Sequence, residues 1–142
     1  MRQEAEAYIK LMDEKGIRHD DIFVLKSGKF DVESRWDLDE TNVAIHAVFD
    51  DDDGHTVGIR SFRFARAKED CFVDVLKTCN ELNTRFRWVK FSVDHDYDVN
   101  VEIDCIVNEE TAGEVVLELV QRLCSIADDA YPELMRAIYG SK

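Results

Sequence analysis

Two acidic segments hold the residues most able to bind a metal ion, because carboxylate oxygens are the ligands that Ca²⁺ prefers. The first segment, Asp50 to Gly54, has four consecutive aspartates before a glycine. A calcium loop of the EF-hand type with Gly54 at its sixth position needs a carboxylate first and a glutamate twelfth. Phe49 and Arg60 stand at those positions. We therefore interpret the segment as a hydrated hairpin turn, a usual place for aspartate and glycine.

The second acidic segment, Asp94 to Asp98, places His95 between two aspartates. A histidine between carboxylates can bind a divalent metal when its neighbours converge on the ion. Adjacent side chains on a turn point apart, however. Val99 and Cys105 also occupy the glycine and glutamate positions that a calcium loop requires. We predict a second hairpin turn here and no metal site.

Cysteine chemistry is the next possibility, and the four cysteines are Cys71, Cys79, Cys105 and Cys124. None forms a CxxC or CxxH pair, so a zinc site lacks its usual short ligand pair. Cys71 lies near the start of a predicted helix, which favours a thiolate, but Glu69 and Asp70 beside it oppose that effect. We expect four reduced thiols, although an even number leaves disulfides open, and we expect no cofactor.

Histidine is the commonest general base, and the chain has four: His19, His46, His55 and His95. Only His46 lies in the middle of a predicted strand, and we expect it alone to be shielded from water. A catalytic base needs a nucleophile or acid within hydrogen-bond reach, and no spacing in the sequence indicates one. We therefore predict a structural histidine, no catalytic residues and no enzyme.

Length and charge limit the functions that remain. The chain has 142 residues, 45% of them hydrophobic, which is typical of a single globular domain over residues 1–142. Its net charge of -13, from 31 acidic and 18 basic residues, disfavours nucleic acid and anionic lipid as partners. The sequence has no apolar leader and no run of about 18 apolar residues. We therefore expect a soluble, cytoplasmic protein.

Hydrophobic periodicity predicts the elements that would position any site. We predict helices over residues 3–15 and 68–85, and strands over 30–37, 43–49, 56–65, 89–94 and 99–107. A last helix begins with the capping-box spacing of Thr111 and Glu114 and kinks or ends at Pro132. The connector over 17–26 should turn Ile22, Phe23 and Val24 inward, and a short strand is one form it can take. The strand over 43–49 should be central and covered on both faces.

This order predicts an α+β fold with a single antiparallel sheet and packed helices, α-β-β-β-α-β-β-α. Mixtures of aromatic residues and arginine are typical of protein interfaces, and two such clusters occur on the third predicted strand and at the end of the second helix. The predicted partner-binding residues are Trp36, Phe62, Phe64, Arg85 and Trp88. The alternatives are core aromatics with arginines paired to carboxylates, or stacking on single-stranded nucleic acid.

A family resemblance supports the interface interpretation. The stretch from Leu76 to Phe91, with its Asn80-x-Leu82-Asn83 pattern, resembles the YbjN-type proteins, bacterial sensory-transduction regulators. The following aromatic strand, the turn at Asp94 to Asp98 and the Tyr131-Pro132-Glu133-Leu134 sequence are similar as well. The order of elements agrees over nearly the whole chain.

The resemblance implies a fold similar to the type III secretion chaperones, which are acidic, cytoplasmic homodimers that bind polypeptides on the sheet and first helix. It implies no catalytic residues and does not transfer a secretion role. We expect a non-catalytic, chaperone-like regulatory module that binds a polypeptide partner as a dimer. The alternatives are a small-ligand sensor or enzyme with a pocket between sheet and helices, and a self-associating structural module.

Overall fold

Six antiparallel strands form the sheet of this protein, in the order β1-β2-β3-β4-β6-β5. The computed structural model describes residues 2–50 and 55–140, so residues 51–54 of the predicted acidic turn lie outside the described residues. The strands are β1 (Phe23–Val24), β2 (Phe30–Asp37), β3 (Asn42–Phe49), β4 (Thr56–Arg66), β5 (Lys90–Val93) and β6 (Asp98–Ile106). The prediction of an α+β fold with one antiparallel sheet is confirmed, with β1 as an additional short strand.

Three helices complete the described fold: α1 (Arg2–Glu14), α2 (Phe72–Arg85) and α3 (Ala112–Tyr139), with a short 3-10 turn (Glu69–Cys71) before α2. α3 lies over β3, β4 and β6 and contacts both other helices, while α1 packs on β2 and β3, and α2 packs on β5. Apolar residues of β2 to β6 face these helices and form one continuous core. Gly113 lets α3 approach α1 closely, because a Cβ there would lie 2.9 Å from the Ala7 carbonyl oxygen.

β3 is central in the sheet, as predicted, but only one of its faces is covered. Val43, Ile45, Ala47 and Phe49 are buried under the helices, whereas the opposite face, with His46, is half-buried. The expectation of cover on both faces was wrong, because the helices in the described part of the chain all pack on one side of the sheet. The other side is an open face.

The connector before β2 also differs from expectation. Of the three residues expected to face inward, Phe23 and Val24 are exposed and Ile22 is half-buried. Phe23 and Val24 form β1 through backbone pairing with Asp31 and Phe30 at the edge of the sheet. Backbone pairing therefore holds these two residues, and their side chains remain on the surface.

α3 does not end at Pro132, which lies within its continuous span. Buried residues on both sides of the proline, Ala130 and Leu134, hold the helix against the core in spite of the missing N–H. The predicted capping box is absent at the start of α3. Asn108 Oδ1 instead accepts hydrogen bonds of 2.9 Å from the backbone N–H groups of Glu110 and Thr111.

A bulge in β4 separates two aromatic residues that regular alternation would place together. The pairing of β4 with β6 shifts between Ser61 and Ala65. Arg63 there has φ of 56°, and its backbone N–H donates to Asn100 Oδ1 at 3.0 Å. As a result Phe62 is 56% exposed and Phe64 is only 8% exposed.

The outer edge of β5 is closed by a side chain. Asn83 of α2 accepts a hydrogen bond from the Phe91 N–H at 2.7 Å and donates to the Phe91 carbonyl at 3.0 Å. The amide thus imitates a neighbouring strand at one residue, which satisfies backbone groups that β6 does not reach.

We predict that Asn83→Ala lowers the free energy of unfolding by about 1 kcal/mol, because it removes two hydrogen bonds that remain partly open to water. Urea unfolding followed by circular dichroism measures this change. Asn80→Ala is the matched control, since Asn80 is an exposed residue of the same helix. Equal midpoints for the two variants would contradict the role of Asn83 at the β5 edge.

Candidate functional site

The five residues predicted to bind a partner do not meet in one place. Phe64 lies in the core, edge-on to the ring of Tyr131 with ring centroids 5.7 Å apart. Trp36 is half-buried, and its Nε1–H donates to Ser34 Oγ at 2.8 Å. Both side chains are therefore engaged inside the fold, and neither offers a full surface to a partner.

Arg85 is at the end of α2 and is already paired. Its guanidinium donates two hydrogen bonds to the Glu133 carboxylate, at 2.6 and 2.8 Å, which joins α2 to α3. These bonds hold the pKa of Glu133 below its usual range. The pairing follows the alternative reading of the arginines, in which they neutralise the abundant carboxylates.

Trp88 is exposed and, unlike the other four predicted residues, lines one of the described pockets. Its side chain is 54% exposed, and its backbone has φ of 79°, in the left-handed region that favours glycine. The Arg122 guanidinium lies 5.5 Å from the ring centroid and is held by Glu118 at 3.1 Å. Trp88 therefore stands out from the loop between α2 and β5, with one face next to α3.

A shallow apolar groove of about 490 Å³ runs beside Trp88. Its remaining walls are one cysteine of β6 and one face of α3: Cys105, Glu114, Val115, Glu118, Leu119 and Arg122. Sequence reasoning missed Val115 and Leu119, which repeat at i and i+4 beside the main apolar stripe of α3. That offset repeat is the signal that could have found a second apolar face.

The open face of the sheet carries a transverse row of ionisable residues. Cross-strand pairing places Glu33, His46, Arg60, Glu102 and Lys90 side by side on five consecutive strands. Arg60 Nε lies 3.2 Å and Lys90 Nζ lies 3.1 Å from Glu102, and His46 Nε2 lies 3.6 Å from Glu33. Because the signs largely alternate, the charges of the row are compensated internally.

Phe62 and His46 form a small aromatic contact on the same open face, with ring centroids 5.6 Å apart. His46 Nδ1 lies 2.9 Å from Asp31. The hydrogen bond to Asp31 raises the pKa of His46 and outweighs the opposing effect of burial. The site is thus a partly shielded imidazole between carboxylates, at the strand position for which a structural histidine was predicted.

A larger cleft, of about 750 Å³, lies along the edge of β2. One wall is the β2 backbone from Glu33 to Asp37, and the other is the segment from Gly16 to Asp20 that follows α1. The two walls meet where the Asp20 N–H donates to the Glu33 carbonyl at 2.8 Å. Sequence reasoning missed this cleft, since the segment has no periodic pattern that would place it beside a strand.

His19 fixes the second wall of this cleft. Its Nδ1 lies 2.8 Å from the Asp20 carbonyl oxygen, and its Nε2 lies 2.7 Å from Asp13 Oδ1. Both partners are acceptors, so only the imidazolium, with a proton on each nitrogen, satisfies both. The side chain of His19 is 10% exposed against 24% for His46, so the expectation that His46 alone is shielded was wrong.

Of the segments considered above for metal and thiol chemistry, the second acidic turn and the four cysteines lie within the described residues, and residues 51–54 of the first turn lie outside them. Asp94 forms a turn: its Oδ1 accepts from the N–H groups of Asp96 and Asp98, and its Oδ2 accepts from Asn100. In residues 2–50 and 55–140, no three histidine, cysteine or acidic side chains are placed to hold a metal ion. All four cysteines are free. Burial raises the thiol pKa of Cys105, on the wall of the groove, to about 11.

Comparisons with known proteins agree with this architecture. A family model described as "Putative bacterial sensory transduction regulator", the YbjN family, matches residues 10–136. The fold is similar to the crystal structure of YbjN from E. coli, described as a "putative transcription regulator". The TM-score is 0.56, over 91% of this chain and 92% of that chain. At 13% sequence identity this likeness shows the fold alone. No curated protein matches. In the described residues, no helix is long and apolar enough to cross a membrane.

The His19 geometry yields a pH prediction. Burial lowers the pKa of His19, but its bonds to Asp20 and Asp13 outweigh burial and raise the pKa above 6.5. The stabilisation that His19 contributes is therefore complete below pH 6.5 and is lost as the pH rises through the folded-state pKa. An NMR titration of the imidazole signals should show this raised pKa.

Asp13→Asn should lower the pKa of His19, because it removes the carboxylate that favours the imidazolium. The signals of His95, on the hairpin between β5 and β6, should be identical in both proteins and serve as the control. If His19 titrates at the same pH in the variant and the wild type, the hydrogen bond between His19 and Asp13 does not form in solution.

Proposed function

Since the chain belongs to the YbjN family, we propose that it is a non-catalytic, chaperone-like regulatory module. It works in the cytoplasm and binds a polypeptide partner as a homodimer. The observation that carries the proposal is Trp88, a large aromatic side chain that is more than half exposed on a left-handed backbone beside an apolar groove.

The left-handed conformation of Trp88 argues for a role outside the fold. A non-glycine residue in this region costs about 1 kcal/mol, and such strain is concentrated at functional sites. Glycine would remove the strain, and a small polar residue would remove the exposed apolar surface. An exposed tryptophan is also among the commonest anchors of protein interfaces. The groove next to it supplies the apolar floor, with Leu119 and Val115, on which a partner side chain can pack.

The rim of the groove indicates the kind of partner. Arg122 is neutralised by Glu118, which leaves Glu114 to give the rim a net negative charge. The whole chain has a net charge of -13. A polypeptide with an apolar anchor next to basic residues therefore fits the groove best.

An exposed apolar pair on α2 supports self-association. Val73 and Leu76 lie one turn apart on the outer face of the helix, and both are exposed. Their removal from water would favour a dimer, and they are not among the residues that line the Trp88 groove. The groove would then remain open in the dimer.

The second candidate function, a small-ligand sensor, is favoured by the volume of the groove, since ligand pockets typically enclose about 300–1,000 Å³. Such pockets also bury most of a ligand between convergent polar groups. This groove is shallow, and its charged groups lie on the rim. A polypeptide, which needs an open surface, suits it better.

We predict that Trp88→Gly and Trp88→Ala both weaken partner binding about 30-fold, the loss typical of an interface anchor. Affinity capture from lysate of the native host, read by mass spectrometry, identifies the partner, and titration of that purified partner gives the affinities. Tyr139→Ala is the matched control, because Tyr139 is an exposed aromatic residue at the far end of α3. One protein that wild type and Tyr139→Ala bind equally, and the Trp88 variants lose, supports the proposal.

The two Trp88 variants separate function from fold. Trp88→Gly should be more stable than Trp88→Ala by about 1 kcal/mol, since only glycine accepts this φ without strain. Urea unfolding measures that difference. Binding that survives in both variants would contradict the proposal, and capture of nothing by wild type would favour a screen for small ligands.

We predict that the protein is a dimer in size-exclusion chromatography with light scattering, and that Leu76→Asp shifts it to the monomer mass. The introduced carboxylate would be buried at the proposed dimer contact with no positive charge beside it, which is unfavourable. Lys77→Asp is the control, as Lys77 is exposed on the same turn of α2. A wild-type mass equal to that of one chain would contradict the dimer.

A further inference from the structure

We propose that the edge of β2 from Glu33 to Asp37 binds a basic, extended segment of a partner polypeptide as an additional β-strand. This inference deepens the proposed function, on which it rests for the existence of a polypeptide partner. It concerns a surface distinct from the Trp88 groove, so the two can be tested separately.

The backbone of β2 presents unused hydrogen-bonding groups at this edge. The Lys29 and Glu33 carbonyls accept from Leu25 and Asp20 on the side away from β3. Because backbone groups alternate along a strand, the N–H and C=O of Arg35 and Asp37 point the same way. β1 covers only the start of β2, pairing with Phe30 and Asp31. Within residues 2–50 and 55–140, no hydrogen bond reaches the Arg35 and Asp37 groups from that side.

The two edges of the sheet thus differ in how their backbone hydrogen-bonding groups are satisfied. Asn83 bonds both backbone groups of Phe91 on the β5 edge. On the β2 edge, the contact between Asp20 and Glu33 closes only one end of the cleft. Open edges invite pairing with another chain, and proteins normally cover them. A strand edge that is unpaired and borders a cleft is therefore a candidate for strand addition.

The cleft has room for the added strand. Its volume is about 750 Å³, and it extends along β2 from Glu33 to Asp37. At roughly 3.3 Å per residue these five positions span roughly 13 Å, enough for a short strand at the usual spacing of about 4.8 Å. The opposite wall is anchored to α1 by His19, whose ring contacts Asp13 and the Asp20 carbonyl.

Charge selects a basic partner over a second copy of this chain. Four carboxylates line the cleft, on Asp13, Asp20, Glu33 and Asp37, against Arg18, Arg35 and the His19 imidazolium that pairs with Asp13. The lining therefore keeps one net negative charge, and two such edges placed side by side would carry charge of the same sign. A segment that alternates lysine with β-branched residues would neutralise the carboxylates and pair with the backbone.

The test uses a synthetic eight-residue peptide of alternating lysine and valine, with capped ends, titrated into the ¹⁵N-labelled full chain. We expect the backbone amide signals of Arg35 and Asp37 to shift and their hydrogen exchange to slow. The matched peptide of alternating glutamate and valine should bind at least tenfold more weakly, and salt should weaken binding of the lysine peptide. Unchanged Arg35 and Asp37 amides at saturating peptide would overturn the proposal.

Two substitutions at one position separate backbone from side chain. Arg35→Pro removes the outward N–H without touching the bonds to β3, and it should weaken peptide binding about tenfold. Arg35→Ala keeps the N–H and removes a positive charge, so it should bind equally or more tightly. Equal affinity of the two variants overturns strand addition. If the proline variant fails to fold, the amide shifts of the wild type decide.

Trp88→Gly distinguishes this inference from the proposed function. The lysine peptide should bind it as well as wild type, because the groove beside Trp88 and the β2 edge share no lining residue. If Trp88→Gly binds both the lysine peptide and the natural partner, strand addition at the β2 edge is supported and partner binding at the Trp88 groove is rejected. If Trp88→Gly loses the natural partner and the wild type does not bind the lysine peptide, the groove is supported and strand addition is rejected.

Discussion

The structure depends on one constraint: in the part of the chain that is described, three helices cover one face of a six-stranded sheet and leave the other open. Every backbone or side-chain polar group on the other face and at the two edges must then be satisfied by water or by its neighbours. The row from Glu33 through Arg60 to Lys90 meets this need on the open face, because each charge there lies beside one of opposite sign. The same constraint explains why His46 lies between carboxylates, which raise its pKa.

The two sheet edges meet this constraint in different ways. Asn83 gives a physical meaning to the Asn80-x-Leu82-Asn83 pattern: its amide takes the place of a strand beside β5. On the β2 side the protein uses a two-residue strand and the loop held by His19, which leave the stretch up to Asp37 without a neighbour. The charged side chains of that stretch discourage pairing between copies of the chain, a common protection of exposed edges.

The parts of this fold that follow from periodicity were predictable from sequence, and the parts that depend on single backbone conformations were not. Alternation along β2 and β3 placed both strands correctly to within a residue. Phe62 and Phe64, two residues apart, were expected to act together, but the left-handed Arg63 between them sends one outward and one into the core. Arginine and tryptophan rarely adopt that conformation, so nothing local to Arg63 or Trp88 indicated it. The cleft was hidden because the pairing of Asp20 with Glu33 is a tertiary contact.

Departures from local rules are most informative where the rest of the chain obeys them. The core of this protein is well packed, with buried residues in phase on β2, β3 and the three described helices, so neither strain nor an open edge is forced by poor packing. Glycine at position 88 would remove the backbone strain. A longer β1, paired with β2 beyond Asp31, would close the β2 edge. Each feature lowers stability without serving the fold. That combination is expected of surfaces kept for a partner, because binding supplies there the contacts that the isolated chain lacks.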